Sequence, residues 1–354
     1  MTALKESLLR RIEQSGPLNV AEYMAECLLH PKHGYYTTQS SVGAEGDFIT
    51  APEISQMFGE VIGLWLAQVW LDQGAPKPFY LAELGPGRGT LMADILRATA
   101  AVQGFHDAMQ LHLVEASPIL QKAQSDALQG HDITHHLSVA DLPEGPLFLV
   151  ANEFFDALPI RQFQRSGNAW RERLIGAKDG ALHWGLGPES AIPPLQHRLA
   201  DTEEGQIIEL NPASEAIAED IGRRIADHGG AGLIIDYGNA LSRENTFQAV
   251  KTHAYTDPLE EPGLVDLTAH VAFGPLAQAA QPARASKLTA QGVFLERLGI
   301  TQRAQTLAAV LSGEALNTHI AAHRRLTHPE EMGNLFKVLA LTPASAPLPP
   351  ALDV

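Results

Sequence analysis

Two acids, Glu83 and Glu115, each close an apolar run, and the first is followed at once by a glycine turn. Phe79-Tyr-Leu-Ala-Glu-Leu84 leads into Gly85-Pro-Gly-Arg-Gly-Thr90 and then into the helical pattern Leu91 to Arg97. A strand, a glycine turn and a helix start let a nucleoside-bearing ligand lie against backbone. The glycines read G-x-G-x-G, not the G-x-G-x-x-G of dinucleotide binders, and no G-x-x-x-x-G-K-[ST] triphosphate cradle occurs. The glycines alone also suit an ordinary turn; the second acid narrows the reading. Leu111-His-Leu-Val-Glu115 ends the next strand, where a carboxylate can take the two hydroxyls of a ribose. Ser117 and Pro118 then open a helix as N-cap and first residue. A ligand with an adenosine, a cation and an amino-acid tail but no phosphate, S-adenosylmethionine, fits this set. The expected contacts are Glu83, Gly85, Pro86, Gly87, Gly89, Thr90, Glu115 and Ala116.

Further polar residues follow the other apolar runs. Asp141 comes after the run at 132–137, Asn152-Glu153-Phe-Phe-Asp156 after 146–151, and Asp236 ends Gly232-Leu-Ile-Ile-Asp236. Open α/β sheets bind ligands at the carboxyl ends of their strands. Asp141 and Asn152 therefore join the cofactor set, and Glu153, Asp156 and Asp236 are the candidate catalytic carboxylates. The polar, glycine-punctuated loop Tyr35 to Ile49 reads as a lid over the site, with Asp47 and Phe48 facing it. His270 is a candidate on the substrate side. Asp156, Asp236 and His270 each have a plainer use: a turn cap before Pro159, a strand end and a core histidine.

The elements that must position these residues are legible in outline. Apolar runs at 79–84, 110–115, 132–137, 146–151 and 232–238, separated by helical stretches, predict an α/β fold with a mostly parallel sheet covered by helices on both faces. Residues 247–255 and 288–294 could complete the sheet; 266–280 and 292–298 read as helical. Thr50-Ala-Pro-Glu53 and Thr327-His-Pro-Glu330 read as capping boxes, the first opening a helix with Met57, Phe58, Val61, Ile62, Trp65 and Val69 on one face. Residues 161–184 alternate with turn signals at Gly167-Asn168 and Asp179-Gly180, an antiparallel meander. The expected division is N-terminal helices and lid at 1–75, a core at 76–159 and 209–341, an inserted substrate-side subdomain at 160–208, and an irregular tail at 342–354.

Composition bounds the function. The chain has 354 residues and a formal net charge of -16, and the acidic balance gives no basic face for general nucleic-acid binding. It suits a cationic substrate instead. The single cysteine, Cys27, excludes an internal disulfide and suggests a reducing, cytoplasmic setting. Met1 to Gln14 carries no evident targeting signal, and the apolar stretch Val61 to Leu71 is too short to span a bilayer. The 15 histidines form no H-E-x-x-H, so no metal is expected, and no G-x-S-x-G elbow is present.

Six segments together resemble a known family: Gly46-Asp-Phe-Ile-Thr-Ala-Pro-Glu-Ile-Ser-Gln-Met-Phe-Gly-Glu60, Glu83-Leu-Gly-Pro-Gly-Arg-Gly-Thr90, Asn152-Glu-Phe-Phe-Asp-Ala-Leu-Pro159, Ile234-Ile-Asp-Tyr-Gly238, Pro262-Gly263 with Asp266-Leu-Thr-Ala-His-Val271, and Met332-Gly-Asn-Leu-Phe-Lys-Val-Leu-Ala-Leu341. The chain is similar, from about residue 5 to 341, to the MidA-like S-adenosylmethionine-dependent methyltransferases. The resemblance implies a Rossmann-like, class I methyltransferase core. It also implies a protein substrate methylated on arginine, since the mitochondrial members modify a core subunit of respiratory complex I and assist its assembly. Ala272 stands where the family pattern suggests an acid after His-Val. Two other readings stay open: a scaffold that keeps the fold without catalysis, and an NAD-dependent oxidoreductase, which lacks its glycine spacing here.

Overall fold

The computed structural model describes residues 2–38, 49–251 and 254–353. Its central sheet runs, from one edge, Arg284–Ala285, Phe336–Thr342, Gly230–Asn239, Leu147–Asn152, Phe79–Leu84, Met109–Val114 and Ile133–His136. The last five strands of that order are mutually parallel, and Phe336–Thr342 runs antiparallel to Gly230–Asn239. Leu147–Asn152 is buried along its whole length, as expected for a central strand covered on both faces. The alternation of a strand sends successive side chains to opposite faces. Phe148 and Val150 join the core with Phe58, Ile62 and Trp65 of the helix Gln56–Asp72. Leu147 and Leu149 join Ile221 and Ile225 of the helix Pro212–His228 on the other face. The fold is thus α/β with a mixed sheet.

A second, antiparallel sheet has the order Leu18–Asn19, Ala169–Lys178, Arg161–Ser166, Ile207–Leu210, with Ala181–Ser190 also paired to Ala169–Lys178. Asp179 and Gly180 both have positive φ, 52° and 75°, as a two-residue hairpin turn requires. The helices Ala3–Ser15 and Val20–Leu29 bury Leu8, Tyr23 and Met24 in a core shared with Ile175, Phe247 and Leu267.

Several sequence expectations fail for physical reasons. Thr50 makes no side-chain cap, and the helix breaks at Ser55, which caps Gln56–Asp72 instead by accepting from the Met57 N–H at 3.3 Å. Residues 248–251 leave the central sheet and pair with Ala254–Thr256 and Asp266–Thr268 in a small sheet of their own. The expected helix 266–280 is therefore strand at its start and helical only over Phe273–Ala279. Of 288–294 only Thr289–Ala290 is strand. Thr327 ends a helix, Gly313–Thr327, where a capping box would begin one. Tyr35–Thr38, expected as loop, makes one helical turn. Asp47 and Phe48 lie outside the described residues.

Candidate functional site

A cavity of about 370 Å³ lies at the carboxyl ends of Phe79–Leu84 and Leu147–Asn152. The chain leaves the first strand for Met109–Val114 on one side and reaches the second on the other; this is the topological switch point, where such sheets form a crevice.

One wall is the glycine turn. The Gly85 N–H donates to the Val114 carbonyl at 3.0 Å, tying the turn to the next strand. Gly85 and Gly87 have φ of 60° and 52°, which glycine adopts without a steric cost. Glu83, Gly85, Pro86, Gly87, Thr90, Glu115 and Ala116 line the cavity, as does Asn152. Gly89 does not; it starts the helix Thr90–Thr99, and a Cβ there would meet Gln124 Cα at 3.4 Å. Asp141 is exposed and off the cavity, while its neighbours Ser138 and Val139 line it.

The carboxylates of this wall are buried. Glu83 is pushed up to about 8 by burial and by the charge of Glu115, and its Oε2 has no hydrogen-bond partner among the described residues. Glu115 is raised to about 6 by burial, offset by the Ser117 N–H at 2.7 Å and the Gln124 amide at 3.2 Å. Asn152 Oδ1 is likewise buried without a partner among the described residues. Unpaired acceptors beside a glycine cradle match a ligand rich in ammonium and hydroxyl donors. S-adenosylmethionine therefore fits, with Glu83, Glu115, Asn152 and the glycine backbone as the groups that would hold it.

The opposite wall carries Glu153 and Asp156. Glu153 has φ of 52°, a left-handed conformation that costs a non-glycine residue about 1–3 kcal/mol. Its Oε1 accepts from the Ala51 N–H and from the Asn152 amide, both at 3.0 Å. Burial raises it to about 7, against the pull of the Ala51 N–H and with the push of Asp156. Asp156 is also raised to about 6 by burial, and its Oδ1, like the Tyr237 hydroxyl, has no partner among the described residues.

Asp236 corrects the sequence reading. It is fully buried and is not among the residues lining the cavity. Its Oδ2 accepts the N–H groups of Phe155 at 3.0 Å and Asp156 at 3.2 Å, and its Oδ1 that of Tyr237 at 2.9 Å. These bonds fasten the turn that carries Glu153 and Asp156. His270 is also elsewhere: its backbone N–H donates to Thr246 Oγ1 at 2.8 Å, and it lines a separate cavity with Glu209 and Ser242.

Sequence reasoning missed Glu53, Tyr36, Tyr237, Asp266 and Thr268, all of which line the site. Glu53 accepts from Thr90 Oγ1 at 2.6 Å, clamping the helix start behind the glycine turn. Its capping-box pattern concealed that role. Tyr36 donates to Asp266 Oδ1 at 2.9 Å. Asp266 lies inside one of the six family segments, where the local pattern predicts a helix, and Tyr36 carries no signal.

Comparison with known proteins agrees with this geometry. Residues 61–293 match the model of a family described as an S-adenosyl-L-methionine-dependent methyltransferase. The chain is 37% identical over 369 residues to the protein arginine methyltransferase NDUFAF7, mitochondrial, of Danio rerio, covering 96% of this chain and 86% of that one. The Homo sapiens protein of the same name is 34% identical over 372 residues, covering 97% and 84%. A crystal structure from Burkholderia thailandensis with S-adenosyl-homocysteine bound superposes with a TM-score of 0.85 at 29% identity, covering 99% of this chain and 94% of that one. The expected cytoplasmic location does not stand, because these curated relatives are mitochondrial proteins. A low cysteine count and an acidic balance do not tell one reducing compartment from another. The chain belongs to the family its residues 61–293 match, and it is an S-adenosyl-L-methionine-dependent methyltransferase.

Proposed function

We propose that this methyltransferase modifies an arginine of a protein substrate, with Glu153 and Asp156 receiving the guanidinium. The observation that carries the reading is Asp156 Oδ1, buried without a partner among the described residues, beside Glu153 in the cavity that holds the glycine turn. Two carboxylates raised by burial gain most from an entering cation, since it restores their charged forms. A guanidinium offers them a planar fork of donors, which an ammonium does not. The naming of the curated relatives as protein arginine methyltransferases supports the same choice. The family resemblance extends it to a subunit of respiratory complex I as the class of target.

When bound, S-adenosylmethionine supplies a methyl group on a sulfonium. Glu153 and Asp156 hold the guanidinium so that one nitrogen faces that methyl, which is mainly a matter of alignment and exclusion of water. As the N–C bond forms and the S–C bond breaks, the attacking nitrogen loses a proton. Glu153, raised to about 7, is matched to take it near neutral pH. In this reading the antiparallel sheet of residues 160–208 holds the rest of the target.

Glu153→Gln keeps the shape and removes the charge. Turnover on an arginine peptide should fall by about a hundredfold or more, while affinity for S-adenosyl-homocysteine changes by less than about threefold. Near-normal turnover would remove Glu153 from this role. Equal methylation of a lysine version of the peptide would overturn the guanidinium argument.

A further inference from the structure

Glu115 is positioned by the side chain behind it. Gln124 is fully buried on the helix Pro118–Ala127. Its Nε2 donates both to the Gly87 carbonyl at 2.8 Å and to Glu115 Oε2 at 3.2 Å. Its Oε1 meets His135 Nε2 at 3.0 Å. One amide thus joins the glycine turn, the acid that follows Met109–Val114, and a histidine of Ile133–His136.

The orientation of that amide follows from counting donors. Nε2 has two hydrogens, and both have acceptors. The reversed amide would set its oxygen against a carbonyl and a carboxylate, and its nitrogen against His135. His135 must therefore carry its proton on Nε2 and donate to Gln124 Oε1. Protonation of the ring leaves that donor in place. The other carboxylate oxygen, Oε1 of Glu115, is held by the Ser117 N–H at 2.7 Å. Both Glu115 oxygens are thereby pinned from the protein side.

We propose that Gln124, locked by His135, is a positioning residue of the cofactor site: it fixes Glu115 and the Gly87 carbonyl in one geometry for the nucleoside of S-adenosylmethionine. The inference rests on the reading of Glu115 as the ribose acid. Gln124→Leu removes the bridge, and Gln124→Glu brings a second acid against Glu115. Gln124→Met keeps the length without the donors, so it serves if either of the others folds poorly.

The test is calorimetry with S-adenosyl-homocysteine on the full chain, with thermal unfolding measured alongside. Each Gln124 variant should bind at least tenfold more weakly. In a Glu115→Ala background the further loss from Gln124→Leu should be clearly smaller than in wild type, because the acid it positions has gone and only its bond to the Gly87 carbonyl remains. His135→Gln, which keeps a donor, should retain affinity better than His135→Leu. Wild-type affinity in the Gln124 variants, or a full additional loss in the Glu115→Ala background, would overturn the proposal. Unchanged binding by Glu115→Ala alone would instead overturn the ribose reading, so the two failures are distinguishable.

Discussion

Asp236 is fully buried and turns its carboxylate to backbone and not to the cavity. From sequence it is an acid at the end of a buried strand, beside two others. In three dimensions its oxygens are taken up by the backbone N–H groups of Phe155, Asp156 and Tyr237. Burial and the charges of Asp156 and Glu153 raise it well above the ordinary carboxylate range. It follows that Asp236 acts on conformation: it holds the strained Glu153 turn closed from behind. Asp236→Asn turns at least one accepting oxygen into a donor facing an N–H. Leaving one or two buried N–H groups unpaired costs about 1–3 kcal/mol each. Chemical denaturation of the variant should show that loss, with turnover falling in parallel. A denaturation midpoint equal to wild type would mean the turn holds itself, and a chemical role for Asp236 would then have to be sought.

At the scale of elements, legibility followed the reach of each signal. Phe79–Leu84 was read to the residue, and Leu147–Asn152 to within one, because central parallel strands are continuous apolar runs bounded by turns. Phe336–Thr342 lies in a family segment without a strand signal of its own; its pairing with Gly230–Asn239 is antiparallel and remote in sequence. Asp266–Thr268 pairs with Gln248–Lys251, a contact that local periodicity cannot carry. The candidate site divided in the same way. Glu83, Gly85 and Glu115 sit on local strand–turn–helix patterns and were found. Tyr36 and Thr268 reach the cavity from elements whose placement depends on tertiary packing, and were not. The glycine turn also depends on a distant element: a Cβ on Gly85 would lie 2.9 Å from Phe154 Cδ2, at a φ of 60°. Gly85→Ala therefore strains the backbone by about 1–2 kcal/mol and presses on the residue between Glu153 and Phe155. Affinity for S-adenosyl-homocysteine and turnover should both fall, unlike Glu153→Gln, for which turnover alone is expected to fall. Preserved affinity in Gly85→Ala would show that the two walls are not coupled through Phe154.

The whole molecule adds a field to the site. The protein carries a net charge of -16, so an approaching cationic segment is attracted before any contact forms. That attraction is long-ranged and therefore screened: the Debye length falls from about 30 Å at 0.01 M salt to about 8 Å at 0.15 M. The contacts inside the cavity are short and partly shielded from water, and screening affects them much less. The two contributions separate in kinetics. If the acceptor is an arginine segment of a protein, kcat/KM for a basic peptide should drop several-fold between about 0.02 and 0.3 M salt, while kcat at saturating peptide stays nearly constant. The cofactor differs from a basic peptide: its sulfonium and ammonium are balanced in part by its own carboxylate, so its affinity should move far less over the same range. A peptide with its flanking lysines and arginines replaced, keeping only the target arginine, should lose most of the salt dependence. Initial-rate measurements across ionic strength decide it: a kcat/KM that is flat for the basic peptide would mean that the acidic surface does not recruit the target, and that recognition rests on the cavity and its surrounding sheet alone.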